Sequence, residues 1–323
     1  MKEIELWRFA HEKLKNNISV ILLVVADSGK SSPGRAGFKM TLAGDGEVIG
    51  TIGGGIMENA LLEEAKKNLA HKEKLCYTKK LFHNKNASGD KSGLICGGTQ
   101  TMIIKSLHTN DTDSIAQVLK HFENLEKGLL VINQSGISFL TSKTNEKPIS
   151  FLFTSDDNWQ YEENSGFPNT VYIIGGGHVG LAVSRVMSTL DFYVITIDPR
   201  KDVFTMLRNT YADKKLNVPY NEVNKYIAEG ERSYIVIVTS EHDSDMAALK
   251  SVITKNIKYI GMMGSKVKIK SIFKGLVEQG VDAALFNKVN TPIGIEIEAE
   301  SPEEIAISIA AEIIKVKNSI TAN

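Results

Sequence analysis

VYIIGGGHVGLAVSRVMSTLDFYVITIDPR, residues 171–200, decides the fold of the second half of this chain. An apolar run ends in Gly175, Gly177 and Gly180, spaced G-x-G-x-x-G. A helical pattern follows, and a second apolar run closes on Asp198, 23 residues after Gly175. Each glycine has its own task in such a stretch. Gly175 permits the tight turn, Gly177 lets backbone approach a pyrophosphate, and Gly180 lets the helix lie close to the strand. The helix start offers unpaired N–H groups and a positive dipole end to an anion. Asp198 is placed to accept from a ribose hydroxyl, which disfavours a 2′-phosphate, while Arg200 argues the other way. His178, inside the loop, either packs or touches the ligand.

Outward from this stretch, strands alternate with helices. Strands are expected at 171–175, 193–197, 234–239 and 258–261, and helices at 178–190, 201–209, 244–255 and 266–278. That alternation predicts a parallel sheet with right-handed crossovers. Ser301, Pro302 and Glu304 have the spacing of an N-cap, first helical position and capping box, with Ile305, Ile309 and Ile313 as the buried stripe of a last helix. The fold class is therefore α/β. A Rossmann-like doubly wound parallel-sheet domain spans 169–323, and a mixed α+β domain spans 1–145. Residues 146–168, rich in Asn, Asp, Glu, Ser and Pro, are expected as the linker, with one strand at 149–153. In the first half the pattern gives a helix at 2–15, a buried strand at 19–26 and a hairpin at 38–52. A helix at 56–70, strands near 76–82 and 100–107, a helix near 113–126 and a hairpin turning at 134–136 follow.

The bulk numbers remove several functions. Lys+Arg and Asp+Glu both total 38 in 323 residues, so the chain lacks the positive surplus that phosphate neutralisation asks of a nucleic-acid binder. The longest apolar run, ISVILLVVA (18–26), is about half the length of a membrane span. The start, MKEIELWRF, lacks the basic-then-apolar form of a signal peptide, so a cytoplasmic protein is expected. Cys76 and Cys96 allow at most one disulfide and cannot build a zinc site alone.

The first half has glycine clusters of its own. GTIGGGIMENALLEEA (50–65) sets Gly53, Gly54 and Gly55 before a helix. Three glycines in a row form either a sharp strand-to-helix turn or a nest for an anion, which Glu58 in the first turn would repel. SSPGRAGFKM (31–40) adds Arg35 and Lys39 as cations for an anionic ligand. In GLICGGTQT (93–101), Cys96 stands between an apolar pair and two glycines. A free cysteine there is either a small packed hydrophobe or a sterically bare thiol. Nearby N–H groups or cations would favour its thiolate, a soft metal ligand or sulfur acceptor.

Taken in order, these segments resemble the XdhC/CoxI family, the accessory factors for xanthine dehydrogenase and related molybdenum hydroxylases. ADSGKSSPGRAGFKM, GEVIGTIGGGIMENALLEEA, LICGGTQTMII, IIGGGHVGLAV with ITIDPR, YIGMMGSKVKIKSI and TPIGIEIEAESPEEIAISIAAEII carry the likeness. The resemblance implies a chaperone, more than a catalyst. It would hold molybdenum cofactor (molybdopterin or its cytosine dinucleotide), protect it while a cysteine desulfurase installs the sulfido ligand, and insert it into the apo-hydroxylase. It implies Cys96 as the sulfur- and molybdenum-handling residue. Gly53, Gly54, Gly55, Glu58, Gly175, Gly177, His178, Gly180, Asp198, Gly264 and Ser265 match its other motif positions. Lys266 and Val267 replace the family's usual arginine segment, Glu298 stands where glycine is common, and SEHDSD (240–245) brings His242 one or two positions late. A homodimer, and a shared cleft between the two glycine-rich halves, are further expectations. The alternatives are an NAD(P)-dependent oxidoreductase, which fits the second half alone, and a nucleotide-sensing scaffold.

Overall fold

The computed structural model describes residues 3–29, 31–70, 75–83, 97–124, 126–166 and 168–319. The chain divides into two compact units, Met1–Phe167 and Pro168–Asn323.

The first unit is built on two antiparallel sheets. Its elements are α1 (Glu3–Lys15), β1 (Val20–Ser28), β2 (Lys39–Ala43), β3 (Val48–Gly50), α2 (Gly55–Ala70), β4 (Cys76–Phe82), β5 (Thr99–Leu107), α3 (Thr112–Asn124), β6 (Gly128–Asn133), β7 (Gly136–Thr141), β8 (Ile149–Ser155) and β9 (Asn158–Ser165). One sheet has the order β3-β2-β1-β5-β4 and the other β7-β6-β9-β8. Residues 20–26 of β1 are apolar without a break because both faces are covered there. Val20, Leu22 and Val24 pack with α1, α3 and the second sheet, whereas Ile21, Leu23 and Val25 pack with Met57, Leu61 and Ala65 of α2.

Residues 146–168 are not the expected linker. They contain the β8–β9 hairpin, whose second strand pairs with β6 from Gly128↔Ser165 to Asn133↔Gln160. Trp159 and Tyr161 of that strand are fully part of the core. The polar composition that argued for a connection belongs to the strand faces turned to solvent, which alternate with the buried ones along β9.

The second unit is a doubly wound α/β domain. It runs β10 (Thr170–Ile174), α4 (His178–Thr189), β11 (Tyr193–Ile197), α5 (Phe204–Arg208), β12 (Lys214–Leu216), β13 (Gly230–Ile237), α6 (His242–Val252), β14 (Ile257–Met262), α7 (Lys266–Glu278), β15 (Val289–Asn290) and α8 (Pro302–Asn318). Every strand pair in it is parallel, and the order is β12-β11-β10-β13-β14-β15. The short strands β12 and β15 escape a periodicity reading because three and two residues carry no period. β10, β11 and β13 end level, since Ile174 stands beside Ile197 and beside Ile237. The loops after them share one edge of the sheet. The chain changes direction between β10 and β13, the switch point at which such sheets open a crevice for ligands. α8 starts with the expected capping box, Ser301 and Glu304 bonding each other's backbone.

Among the described residues, no helix is long and apolar enough to cross a membrane.

Candidate cofactor-binding site

The loop from β10 to α4 assigns its glycines different tasks. Gly175 sits at φ +120°, and a Cβ there would lie 2.5 Å from the Val238 carbonyl oxygen, so this loop presses against the end of β13. A Cβ on Gly180 would lie 2.0 Å from the Gly175 carbonyl oxygen, so only glycine lets α4 approach this closely. A Cβ on Gly177 would meet nothing within 4 Å. Gly177 is also the N-cap of α4, and no side chain caps the helix. The result is a bare, amide-lined opening at the positive end of a 12-residue helix. His178, the first helical residue, is exposed beside it.

The loop is held from behind. Gly176 N–H donates to Asp198 Oδ2 at 2.8 Å, and the Thr205 hydroxyl donates to the Gly176 carbonyl. Asp198 is wholly buried and saturated: Arg200 supplies its amide at 3.0 Å, Nε at 2.9 Å and Nη2 at 2.8 Å. Burial pushes the Asp198 carboxyl up, but the Arg200 guanidinium and the Gly176 and Arg200 amides bring it below the usual aspartate range. Burial and the neighbouring Asp198 charge push the Tyr220 phenol well above its ordinary range. Asp198 therefore stands at the predicted position with a different task. It anchors the glycine loop and grips Arg200, and both of its oxygens are engaged before any ribose arrives.

Across the crevice edge, Thr239 donates through its amide (3.2 Å) and hydroxyl (2.5 Å) to Asp245 Oδ1, while Lys268 Nζ lies 2.6 Å from Asp245 Oδ2. Ser265 caps α7, accepting from the Lys268 amide at 3.3 Å, with Gly264 just before it. Gly264 and Ser265 thus belong to the same sheet edge as the α4 opening. The Ser265 hydroxyl is committed to its own helix. His242 binds Ser271 Oγ and Asp243 Oδ1, both at 3.1 Å, on the surface of α6. Glu298 adopts φ +55°, the left-handed conformation that favours glycine. Tyr220 and Thr239 carry no motif signature, and Asp245 is the last residue of the SEHDSD stretch (240–245). An acid one turn into a helix after an apolar strand was the available signal for Asp245.

In the first unit three motif segments converge. A Cβ on Gly34 would lie 2.0 Å from the Ile52 carbonyl oxygen, one on Gly53 2.6 Å from the Gly34 nitrogen, and one on Gly98 2.6 Å from Ser32 Oγ. Buried Gln100 ties them by donating to the Ile52 carbonyl at 3.1 Å. Gly53, Gly54 and Gly55 all have positive φ, yet the nest they make is filled by the protein itself. Glu58 Oε2 accepts from Ile52 N–H (2.9 Å), Gly54 N–H (3.0 Å) and the Thr51 hydroxyl (2.7 Å). Glu58 is thus the occupant of the nest rather than a charge repelling one.

Lys39 is likewise corrected. It is 6% exposed, and its Nζ lies 2.5 Å from Glu163 Oε2 and 2.9 Å from Glu3 Oε1. Burial works against its charge, but the two carboxylates outweigh it and hold the ammonium well above its ordinary range. A lysine so enclosed cannot balance an external ligand. Arg35 is exposed. Cys96 lies outside the described residues, as does the stretch 84–95 before it. Cys76 is a free, half-buried thiol 3.6 Å from Lys105 Nζ, and burial pushes it up.

A glycine-cradled, doubly wound sheet joined to an antiparallel α+β unit defines a two-part protein with a nucleotide-type domain at its carboxy-terminal end. Residues 171–313 match the XdhC Rossmann domain, and residues 14–78 match the XdhC and CoxI family. The chain belongs to the XdhC/CoxI family. It is 24% identical over 308 residues to uncharacterized protein YqeB of Escherichia coli (strain K12), covering 94% of this chain and 45% of that protein. It is 24% identical over 148 residues to a probable xanthine dehydrogenase component from Bacillus subtilis (strain 168), covering 46% of this chain and 43% of that protein. The chain thus spans under half the length of both curated relatives. A solved structure described as a xanthine dehydrogenase from Bacillus halodurans shares the fold at TM-score 0.75 and 19% identity, over 100% of this chain and 97% of the other.

Proposed function

We propose that the protein is an accessory factor for a xanthine dehydrogenase-type molybdenum hydroxylase: it holds molybdenum cofactor, shields it while a cysteine desulfurase supplies the sulfido ligand, and passes it to the apo-enzyme. Membership of the XdhC/CoxI family and the name of the Bacillus subtilis relative support the class of client. The observation that carries the ligand reading is the open position at Gly177, beside unclaimed amides at the start of α4. Those amides suit the phosphate of a molybdopterin or the pyrophosphate of its cytosine dinucleotide, by hydrogen bonds and the helix dipole. Arg200, half-exposed on the neighbouring loop after β11, adds a cation already paired with Asp198. Cys96 is the soft donor for the metal end, its thiolate being a ligand type that suits molybdenum.

The strand order and glycine spacing favour a second occupant, a nicotinamide dinucleotide. Against it, the acid that would read a ribose is closed by Arg200 and Gly176. The test is anaerobic purification of wild type, Gly177→Asp and Cys96→Ala, followed by measurement of bound molybdopterin and of hydroxylase reconstitution. Loss of cofactor in Gly177→Asp and of transfer in Cys96→Ala is expected. Full retention and transfer in both variants overturns the reading. Saturable quenching of NADH fluorescence with no molybdopterin bound assigns the loop to the dinucleotide instead. Tight nucleotide binding with no hydroxylase recovered in a pull-down leaves the sensing scaffold.

A further inference from the structure

β8, ISFLFTS (149–155), is the outer strand of its sheet and, among the described residues, pairs with β9 alone. Alternate N–H and C=O groups along it face away from β9. An edge of that kind is a template for another strand, and proteins ordinarily blunt it by shortness, charge or proline. Four of the five other sheet ends among the described residues are blunted. β3, β12 and β15 have three, three and two residues, and β4 carries Lys79 and Lys80. β7 is uncharged, but its Ile137 and Phe139 are buried. β8 has seven residues without charge, proline or glycine, and its Leu152 and Phe153 are 71% and 51% exposed.

The strand is close to a palindrome about Leu152. Laid antiparallel on a second copy with the two-fold axis at Leu152, Phe151 of one strand opposes Phe153 of the other, and Ser150 opposes Thr154. Lys147, before the strand, opposes Asp157, in the turn after it, so the charges flanking the apolar centre are of opposite sign at both ends. Aromatic pairs, hydroxyl pairs and opposite charges are the favourable cross-strand combinations. An even register also keeps Phe151 and Phe153 of both copies on the face that packs with Trp159, where the Phe151–Phe153 and Phe151–Trp159 ring centroids are already 6.3 and 6.4 Å apart. A slip of one residue would put those rings on opposite faces. The register shift between Phe153 and Ser155 falls at Thr154, so the regular part of the pairing is the Phe151–Phe153 centre and the Ser150–Thr154 pair stands at its limit.

We infer that this edge pairs with the same edge of a second copy, joining two four-stranded sheets into one continuous eight-stranded sheet across a two-fold axis. Such an isologous contact needs one self-complementary patch, and this strand is one. The contact area is small for a permanent interface, so association is reversible and concentration-dependent.

The test is sedimentation equilibrium of the full chain between about 1 and 200 µM. A mass rising from 35.5 kDa towards twice that value is expected. Leu152→Lys places two ammonium groups at the axis and weakens association at least about 10-fold, with an unchanged circular-dichroism spectrum because the position is exposed. Leu152→Cys forms a rapid disulfide to its own copy under mild oxidation, since residues opposed at the axis are within bridging reach, and wild type treated alike does not. A monomer throughout the range overturns the inference. So does a dimer indifferent to Leu152→Lys, or a Leu152→Cys variant that fails to cross-link to itself.

Discussion

The glycines of the α4 loop separate folding from binding, and two alanine substitutions test that division. At Gly180 a new Cβ would sit 2.0 Å from the Gly175 carbonyl oxygen, where an ordinary contact needs about 3.4 Å. α4 must therefore retreat by about 1.4 Å, against Ser184, which bonds both the Gly180 carbonyl at 2.8 Å and Thr196 at 3.1 Å. Overpacking of this kind costs about 1–3 kcal/mol, and more where backbone meets backbone. Alanine returns up to about 1 kcal/mol of helix propensity. The expected net loss for Gly180→Ala is about 2 kcal/mol. At Gly177 the backbone lies at φ −74°, ψ −166°, open to any residue, and the Cβ meets nothing. Gly177→Ala should shift stability by less than about 0.5 kcal/mol, yet weaken ligand retention at least about 10-fold if a phosphate rests there. The assay is urea unfolding by far-ultraviolet circular dichroism. Both tryptophans, Trp7 and Trp159, are in the first unit, so their fluorescence serves as an internal control that should not move. Equal stability losses at the two positions, or a neutral Gly180→Ala, would refute the division of tasks. Unchanged ligand retention in Gly177→Ala would remove the opening as the binding point.

Asp198→Asn should cost the second unit about 1–3 kcal/mol at neutral pH, because the Arg200 fork and Gly176 amide lose a charged partner. The native carboxyl is held below its unfolded range, so its stabilisation is present above about pH 4 and is lost as pH falls through the folded value. Urea midpoints for wild type and variant should converge in acid, and a constant gap would contradict this. Lys39→Met should cost the first unit about 3–5 kcal/mol by tryptophan fluorescence, since Glu3 and Glu163 lose the ammonium between them. Burial and Glu3 already push Glu163 up. A raised carboxyl favours the fold at low pH and loses that advantage as pH rises, so the variant should be most stable in mild acid. Stability loss below about 1 kcal/mol would contradict the burial argument. Glu58→Ala should empty the glycine nest, and sulfate should then raise the melting temperature of the variant and not of wild type. Equal responses would mean that the nest holds no anion site.

The second unit was legible because its information is local. A strand, a glycine turn and a helix within 171–200 specify one βαβ geometry, and periodicity carried the α/β assignment through α7. The helices at 2–15 and 56–70 and the strand at 76–82 were readable for the same reason. The β8–β9 hairpin was not. Half of each strand faces solvent, and an alternating polar sequence looks like a linker until its partner, β6, is known. Among site residues, the glycine positions followed from spacing, whereas the occupants of their hydrogen bonds did not. Sequence placed Glu58 beside Gly53–Gly55 and Lys39 beside Arg35. It was silent on Glu58 folding back into the nest and on Glu3 and Glu163 closing around Lys39 from 36 and 124 residues away.

The amino-acid sequence alone therefore determined the order of elements, the glycine turns and the position of each ionisable group, because torsional preference and hydrophobic period act over a few neighbouring residues. Tertiary structure alone decided which charges are free. Whether a carboxylate or ammonium meets a ligand or another side chain depends on partners distant in the chain, and the high cost of burying an unpaired charge makes that choice sharp. Hence Asp198, Glu58 and Lys39 are held by other groups of the protein, whereas no side chain caps α4 at Gly177.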